Sequence, residues 1–190
     1  MDTERIFTVK NIISTAALFI CFMFATGCST VTDPGSRTPT MILDDDKIES
    51  RAIRDIKASD PRFASAHIVV VSHRGVVLLA GEVESEDLKQ KAGEVVEHMD
   101  LVKSVHNELE VGPVTSLSRR SDDAWITTKV KSAMIAHGRI DVGLINVTTE
   151  NGVVFLMGAI PQTQADAAVE VAQSVSGVKK IVKVFEYTTN

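Results

Sequence analysis

An internal repeat constrains this chain more than any other feature of its 190 residues. A shift of 77 residues places Gly75 over Gly152, so that residues 73–81 fall on residues 150–158. After a slip of one residue, the Val-Lys-Ser-Val segment at 102–105 also matches Val-Lys-Lys-Ile at 178–181. Because a repeat of this length means that one structural unit is built twice, we expect two copies of one small domain.

Both copies show the same order of patterns, which predicts an α+β fold with two tandem domains. Each domain is expected to be α-β-β-α-β, with its helices packed on one face of a three-stranded mixed sheet. Arg74-Gly75 and Asn151-Gly152 mark the hairpin turns, since Asn-Gly suits a type I′ turn. Asp122 is a candidate N-cap for the first helix of the second copy. The predicted segments are helices at 45–58 and 122–137, hairpins at 67–72 with 75–81 and at 145–149 with 152–158, helices at 85–99 and 162–176, and closing strands at 102–111 and 178–187.

The repeated motifs resemble the BON domain. The resemblance lies in the G-V-V-x-L-x-G hairpin, the helix after it and the closing V-K-x-V, and it is closest at residues 125–130 and 147–158. It covers nearly the whole chain after the N-terminal segment. We therefore predict BON domains at 44–112 and 121–190, joined by a linker at 113–120. Two such domains behind a lipid-modified cysteine are similar to the twin-BON lipoproteins of the bacterial outer membrane.

The N-terminal segment has the layout of a secretory signal. Arg5 and Lys10 precede an apolar run at 12–25, which is shorter than the roughly 20 residues that span a bilayer. The Ala-Thr-Gly-Cys stretch that ends at Cys28 resembles a lipobox. We expect a signal peptide at 1–27, a lipid attached to Cys28 and a flexible tether at 28–43, which is rich in Ser, Thr, Pro and Gly. An ordinary signal peptide and an uncleaved anchor are the alternatives.

The expected location follows from the residue after the lipobox. In lipoproteins of this kind, an aspartate at that position favours the inner membrane, so Ser29 favours the outer membrane, with the domains facing the periplasm. The acyl chains, palmitate among them, would supply the main membrane affinity, because several chains hold a protein much more firmly than one.

No residue pattern indicates an enzyme, a metal site or a cofactor. The five histidines lack ligand spacing, and the glycines lie at turns and strand ends rather than in a phosphate-binding loop. Asp44, Asp45 and Asp46 suggest calcium, but neighbouring carboxylates on a helix diverge, and the dipole of a helix N-terminus explains them equally well. The net charge of −5 argues against a nucleic-acid partner, and no small-molecule substrate is indicated.

The candidate site is the first helix of the second domain. Residues 44–112 carry 9 basic and 15 acidic residues, whereas residues 121–190 carry 6 and 7, so an anionic surface repels the first copy more strongly. Ile126, Val130, Ala133 and His137 should face the sheet, and Trp125 lies about 100° from that stripe. The BON resemblance implies that this helix contacts anionic phospholipid. The predicted contacts are Trp125, Ile126, Thr128, Lys129, Lys131, Ser132 and Arg139.

The sequence is compatible with three functions. The first is a non-enzymatic lipoprotein that binds phosphatidylglycerol-like lipid and supports outer-membrane integrity, division sites included. The second is a scaffold or chaperone-like factor for the outer-membrane assembly machinery, docked through the acidic first domain. The third is a soluble periplasmic protein of osmotic stress, without acylation at Cys28. From the residues alone, Trp125 can equally cap a sheet edge or pack between the domains.

Overall fold

The computed structural model describes residues 35–189. The predicted signal peptide, Cys28 and residues 28–34 of the predicted tether lie outside the described residues. Within residues 35–189, no helix has the length and apolar content that crossing a membrane requires.

The first domain places two helices on one face of a mixed sheet. Strand β1 (His67–His73) runs antiparallel to β2 (Val76–Val83), while β3 (Ser104–Asn107) and β4 (Glu110–Val111) both run parallel to β2. The single closing strand predicted at 102–111 is therefore interrupted. The side chain of Asn107, the last residue of the first piece, donates from Nδ2 to the Lys89 carbonyl at 2.7 Å, and Leu109 turns into the core. The elements are α1 (Pro39–Ser59), a 3₁₀ turn (Pro61–Ala64), β1 (His67–His73), β2 (Val76–Val83), α2 (Glu86–Glu97), β3 (Ser104–Asn107) and β4 (Glu110–Val111).

The second domain repeats this arrangement with an unbroken closing strand. In its sheet, the central strand β6 (Val153–Ile160) pairs antiparallel with β5 (Ile145–Glu150) and parallel with β7 (Lys180–Tyr187). The elements are α3 (Leu117–His137), a 3₁₀ turn (Val142–Leu144), β5 (Ile145–Glu150), β6 (Val153–Ile160), α4 (Gln162–Gln173) and β7 (Lys180–Tyr187). The prediction of two α-β-β-α-β units with mixed sheets is confirmed.

Both leading helices begin earlier than the sequence pattern predicts. Thr38 caps α1 by accepting a hydrogen bond from the Met41 amide, so residues 39–43 of the predicted tether are helical. Ser116 caps α3 in the same way, through the amide of Arg119. The prediction of Asp122 as the cap is therefore wrong. The apolar period failed to locate these starts because the first turns carry exposed side chains and do not contact the core.

Three apolar layers hold the molecule together. One lies between the helices and sheet of the first domain, and a second lies between those of the second domain. The third lies between the two sheets, which pack against each other through the faces that carry no helices. Every residue of β2 is buried, because one face meets helices and the other meets the second domain. The residues buried between the sheets are Val76, Leu78, Ala80, Phe155, Met157 and Val184.

The chain reaches α1 by passing over the second domain. Gly35 is buried, and a Cβ atom there would lie 2.1 Å from the carbonyl oxygen of Ala159. Arg37 then pairs with Asp45 at 3.3 Å. The segment that leads into α1 is thus packed against both domains.

Candidate functional site

Helix α3 buries one face in the core of the second domain. Ile126 and Val130 lie in that core, as the sequence predicts. The next core contact is Met134, at 0% exposed, whereas Ala133 and His137 are only half-buried. A spacing of four residues keeps these side chains on one side of a helix with 3.6 residues per turn. The opposite side of α3 faces solvent.

That outward side carries large apolar side chains. Trp125 is 64% exposed, Leu117 75% and Ile135 67%. At 100° per residue, the three lie within about 80° of one another around the axis, along about 27 Å of helix. The alternatives in which Trp125 caps a sheet edge or packs between the domains are therefore wrong.

The structure divides the predicted contact residues into three groups. Thr128, Lys131, Ser132 and Arg139 are exposed, on α3 or just beyond it. Ile126 is 8% exposed and packs in the core, so the prediction that it is a surface contact is wrong. Lys129 is half-buried and does not extend freely into solvent.

A loop after α4 accounts for the position of Lys129. The Nζ atom of Lys129 donates a short hydrogen bond to the carbonyl of Ser176. Gly177, with φ of +102°, brings the loop so close that a Cβ atom there would lie 3.0 Å from Cδ1 of Ile126. Further along, Lys179 donates to the carbonyl of Asn151 at 2.8 Å. The lysines at the start of β7 and the Trp125 half of α3 therefore meet at the hairpin-turn end of the domain.

In each domain, a buried aspartate binds the backbone amides of the hairpin turn, a role that the sequence alone did not reveal. Asp123 is 2% exposed and accepts hydrogen bonds from the amides of Asn151 (3.0 Å) and Gly152 (2.8 Å). Asp45 accepts in the same way from the amides of Arg74 and Gly75. The signal was available as an acidic residue on the apolar face of each leading helix.

The surroundings of Asp45 give this carboxylate a role other than calcium binding or interaction with the helix dipole. Burial tends to raise the pKa of this carboxyl, but hydrogen bonds from the Arg74 amide, the Ser72 hydroxyl and the Gly75 amide outweigh it, so the pKa is lowered. The carboxylate thus serves the turn rather than the helix dipole or a calcium ion. Within residues 35–189, no group of three or more His, Cys, Asp or Glu side chains is placed to hold a metal.

Polar groups border the apolar layer between the sheets. Glu82, 2% exposed, accepts hydrogen bonds from the Thr115 hydroxyl at 2.6 Å and from Asn151 Nδ2 at 3.0 Å. Nearby, Nε2 of His67 lies 3.2 Å from Oε2 of Glu150. Burial raises the pKa of the Glu150 carboxyl, and the Glu82 carboxylate adds to this, whereas His67 opposes it. These contacts connect the two domains directly as well as through the linker.

Comparison with known proteins agrees with the doubled fold. The model of the BON domain family matches residues 44–113 and again residues 122–189. The chain therefore belongs to the BON domain family and carries two copies of the domain.

Several relatives are similar to this chain over most of their length. The chain is 39% identical over 163 residues to the outer membrane lipoprotein DolP of Haemophilus influenzae, which covers 86% of this chain and 83% of that protein. It is 35% identical over 145 residues to the 21 kDa hemolysin of Actinobacillus pleuropneumoniae, covering 76% and 75%. It is 29% identical over 142 residues to the osmotically-inducible protein Y of Escherichia coli, covering 73% and 70%.

Proposed function

We propose that this chain is a non-enzymatic lipoprotein of the outer membrane, anchored through Cys28 and facing the periplasm. Helix α3 of its second domain inserts its outward side among the headgroups of anionic phospholipid, of which phosphatidylglycerol is the type. By this contact the protein supports envelope integrity, division sites included. The similarity to a relative named as an outer membrane lipoprotein supports the location.

The exposed apolar stripe of α3 is the observation that carries the proposal. Large apolar side chains on the solvent side of a helix are unfavourable in water, and their burial at a membrane interface is favourable. A tryptophan buries about 150–250 Å², so inserting the exposed two thirds of Trp125 is worth about 3 kcal/mol at about 25 cal/mol per Å². Lys131 and Arg139 are exposed on or beside the same helix, and each cation near an anionic surface adds about 1 kcal/mol.

The test compares two aromatic positions in the acyl-free chain of residues 29–190. Trp125→Glu is expected to weaken binding to phosphatidylglycerol vesicles by about 100-fold, since about 1.4 kcal/mol corresponds to a factor of ten. Tyr187→Glu is the matched control, because Tyr187 is also exposed (52%) but lies at the end of β7. Vesicle co-sedimentation measures both, and circular dichroism checks the fold. Unchanged binding by the Trp125 variant would exclude α3 as the contact.

Acylation is tested separately. Mass spectrometry of the mature protein should find a diacylglycerol thioether on Cys28 and an acylated amine. An unmodified cysteine would instead favour a soluble periplasmic protein of osmotic stress, a function to which the similarity with osmotically-inducible protein Y also points.

One observation favours the scaffold or chaperone-like function as a second candidate. In the first domain, Leu43 and Leu101 are each 58% exposed and line a groove of about 630 Å³ beside α1, together with Ile48 and Met99. The Leu43→Ser/Leu101→Ser variant is expected to lose binding to purified outer-membrane assembly machinery while it retains vesicle binding. If the variant retains both, this candidate is wrong.

A further inference from the structure

A groove between α4 and β7 carries the densest positive charge of the second domain. Val169, Val178 and Ile181 supply apolar lining, and Gln173 stands at its side. The groove has a volume of about 360 Å³. Three lysines complete its lining: Lys179, Lys180 and Lys183.

Two of these lysines are available to a ligand. Lys179 is held by the Asn151 carbonyl. Lys180 and Lys183 are exposed, and within residues 35–189 their side-chain ammonium groups have no hydrogen-bond or ion-pair partner. Strand β7 is also an edge of its sheet, and exposed lysines protect such edges from pairing with other strands. Edge protection accounts for the charges but gives no role to the groove beneath them.

The loop that leads into the groove also contacts α3. Lys129, the cation nearest to Trp125 on α3, donates to the Ser176 carbonyl, which fixes the position of the ammonium group but leaves its positive charge. The same loop packs on Ile126 through Gly177 and continues directly into Lys179 and Lys180. The lysines that follow this loop therefore add positive charge to that of Lys129 next to the Trp125 half of α3.

We propose that this groove binds the phosphodiester of an anionic lipid headgroup, attracted by the positive charges of Lys180 and Lys183 in its lining. The inference rests on the proposed function, because the lipid lies in the membrane that α3 enters. The valine and isoleucine side chains contact the glycerol and first methylene groups, which free phosphate lacks. The groove thus adds to the preference for anionic over zwitterionic lipid, whereas Trp125 provides affinity for both.

The test measures this preference in the acyl-free chain of residues 29–190. Lys180→Gln/Lys183→Gln is expected to bind phosphatidylglycerol vesicles 10- to 30-fold more weakly and phosphatidylcholine vesicles as before. Lys57→Gln/Lys103→Gln makes the same change in net charge at exposed lysines of the first domain and is expected to change neither affinity. An equal loss of phosphatidylglycerol affinity in both double variants would overturn the proposal, because a general effect of net charge would then explain the loss.

A second measurement separates the headgroup from free phosphate. Amide shifts of Lys180 and Ile181 are followed by NMR during titration with a soluble short-chain phosphatidylglycerol and, separately, with inorganic phosphate. Shifts with the lipid alone support the proposal, and equal shifts with both overturn it. If Trp125→Glu abolishes binding while Lys180→Gln/Lys183→Gln retains full selectivity, the groove is wrong and the α3 surface stands. If Trp125→Glu retains binding, the proposed function fails first.

Discussion

His73 makes the stability of this fold depend on pH. The imidazole is 3% exposed at the end of β1, and neither ring nitrogen has a hydrogen-bond partner within residues 35–189. Burial lowers the pKa of His73 from 6.5 to about 4, and the neighbouring charges of Arg37 and Arg74 act in the same direction, against Asp45. The folded state therefore holds the ring neutral where the unfolded chain protonates it.

The sign and size of the effect follow from linkage. Because the folded pKa is lower than the unfolded one, the stabilising contribution is complete above pH 6.5 and is lost as the pH falls toward 4. The loss amounts to about 2 kcal/mol at pH 5 and about 3 kcal/mol at pH 4, since one pKa unit is worth about 1.4 kcal/mol. His73→Leu removes the titrating group and replaces a ring without partners by an apolar side chain.

Urea unfolding at a series of pH values measures the difference between the two proteins. The free energy of unfolding of His73→Leu, relative to the natural protein, should rise by about 2 kcal/mol between pH 7 and pH 5. Taking the difference cancels the contributions of other groups, such as Glu49 and Glu150. A flat difference curve for His73→Leu would refute the reasoning.

Two further predictions concern the hairpin-turn end of the second domain and are measured by urea unfolding. Gly177→Ala is expected to destabilise the protein by about 2 kcal/mol, because a residue with a Cβ atom is strained at this positive φ and the Cβ would press on Ile126. Gly112→Ala is the control, since nothing lies within 4 Å of a Cβ atom there, and it should change stability by less than about 1 kcal/mol. Asp123→Ala is expected to cost about 3 kcal/mol, since it leaves the two turn amides without a partner, whereas Asp122→Ala, at an exposed position, should be nearly neutral. Equal effects within either pair would contradict the corresponding argument.

The order of elements was predictable because it depends on local patterns that occur twice. Both hairpins lie where the glycine turns predict, and Arg74 and Asn151 have positive φ values of 56° and 55°. The starts of α1 and α3 were not predictable from the apolar period, because Thr38 and Ser116 cap turns that make no core contact. Only the capping residues mark these two helix starts in the sequence.

The packing of sheet against sheet leaves a signal in the sequence that is separate from the repeat. Residues 76–80 form an unbroken apolar run, whereas a strand with one face in water alternates apolar and polar residues. Such a run indicates a strand covered on both faces, as β2 is. Which surface covers the second face depends on contacts between residues about 80 positions apart, such as Leu78 and Phe155, and no local pattern encodes them.

The candidate site was predictable in part. Trp125 was identified from its place on the helix, and the structure leaves it exposed. The position of Lys129 was not predictable, because it depends on where Ser176 returns after another helix. The lysine groove beside β7 likewise arises from tertiary packing of α4 on its sheet.

Packing the two sheets against each other has a consequence for how a duplicated domain is used. The helices of each copy lie on the outside, so the two helical layers point away from each other. A flat bilayer can meet only one of them at a time. When the tryptophan-bearing copy lies on lipid, its acidic twin is turned toward the aqueous compartment, where it is free to change in sequence and to meet other molecules without giving up the membrane contact.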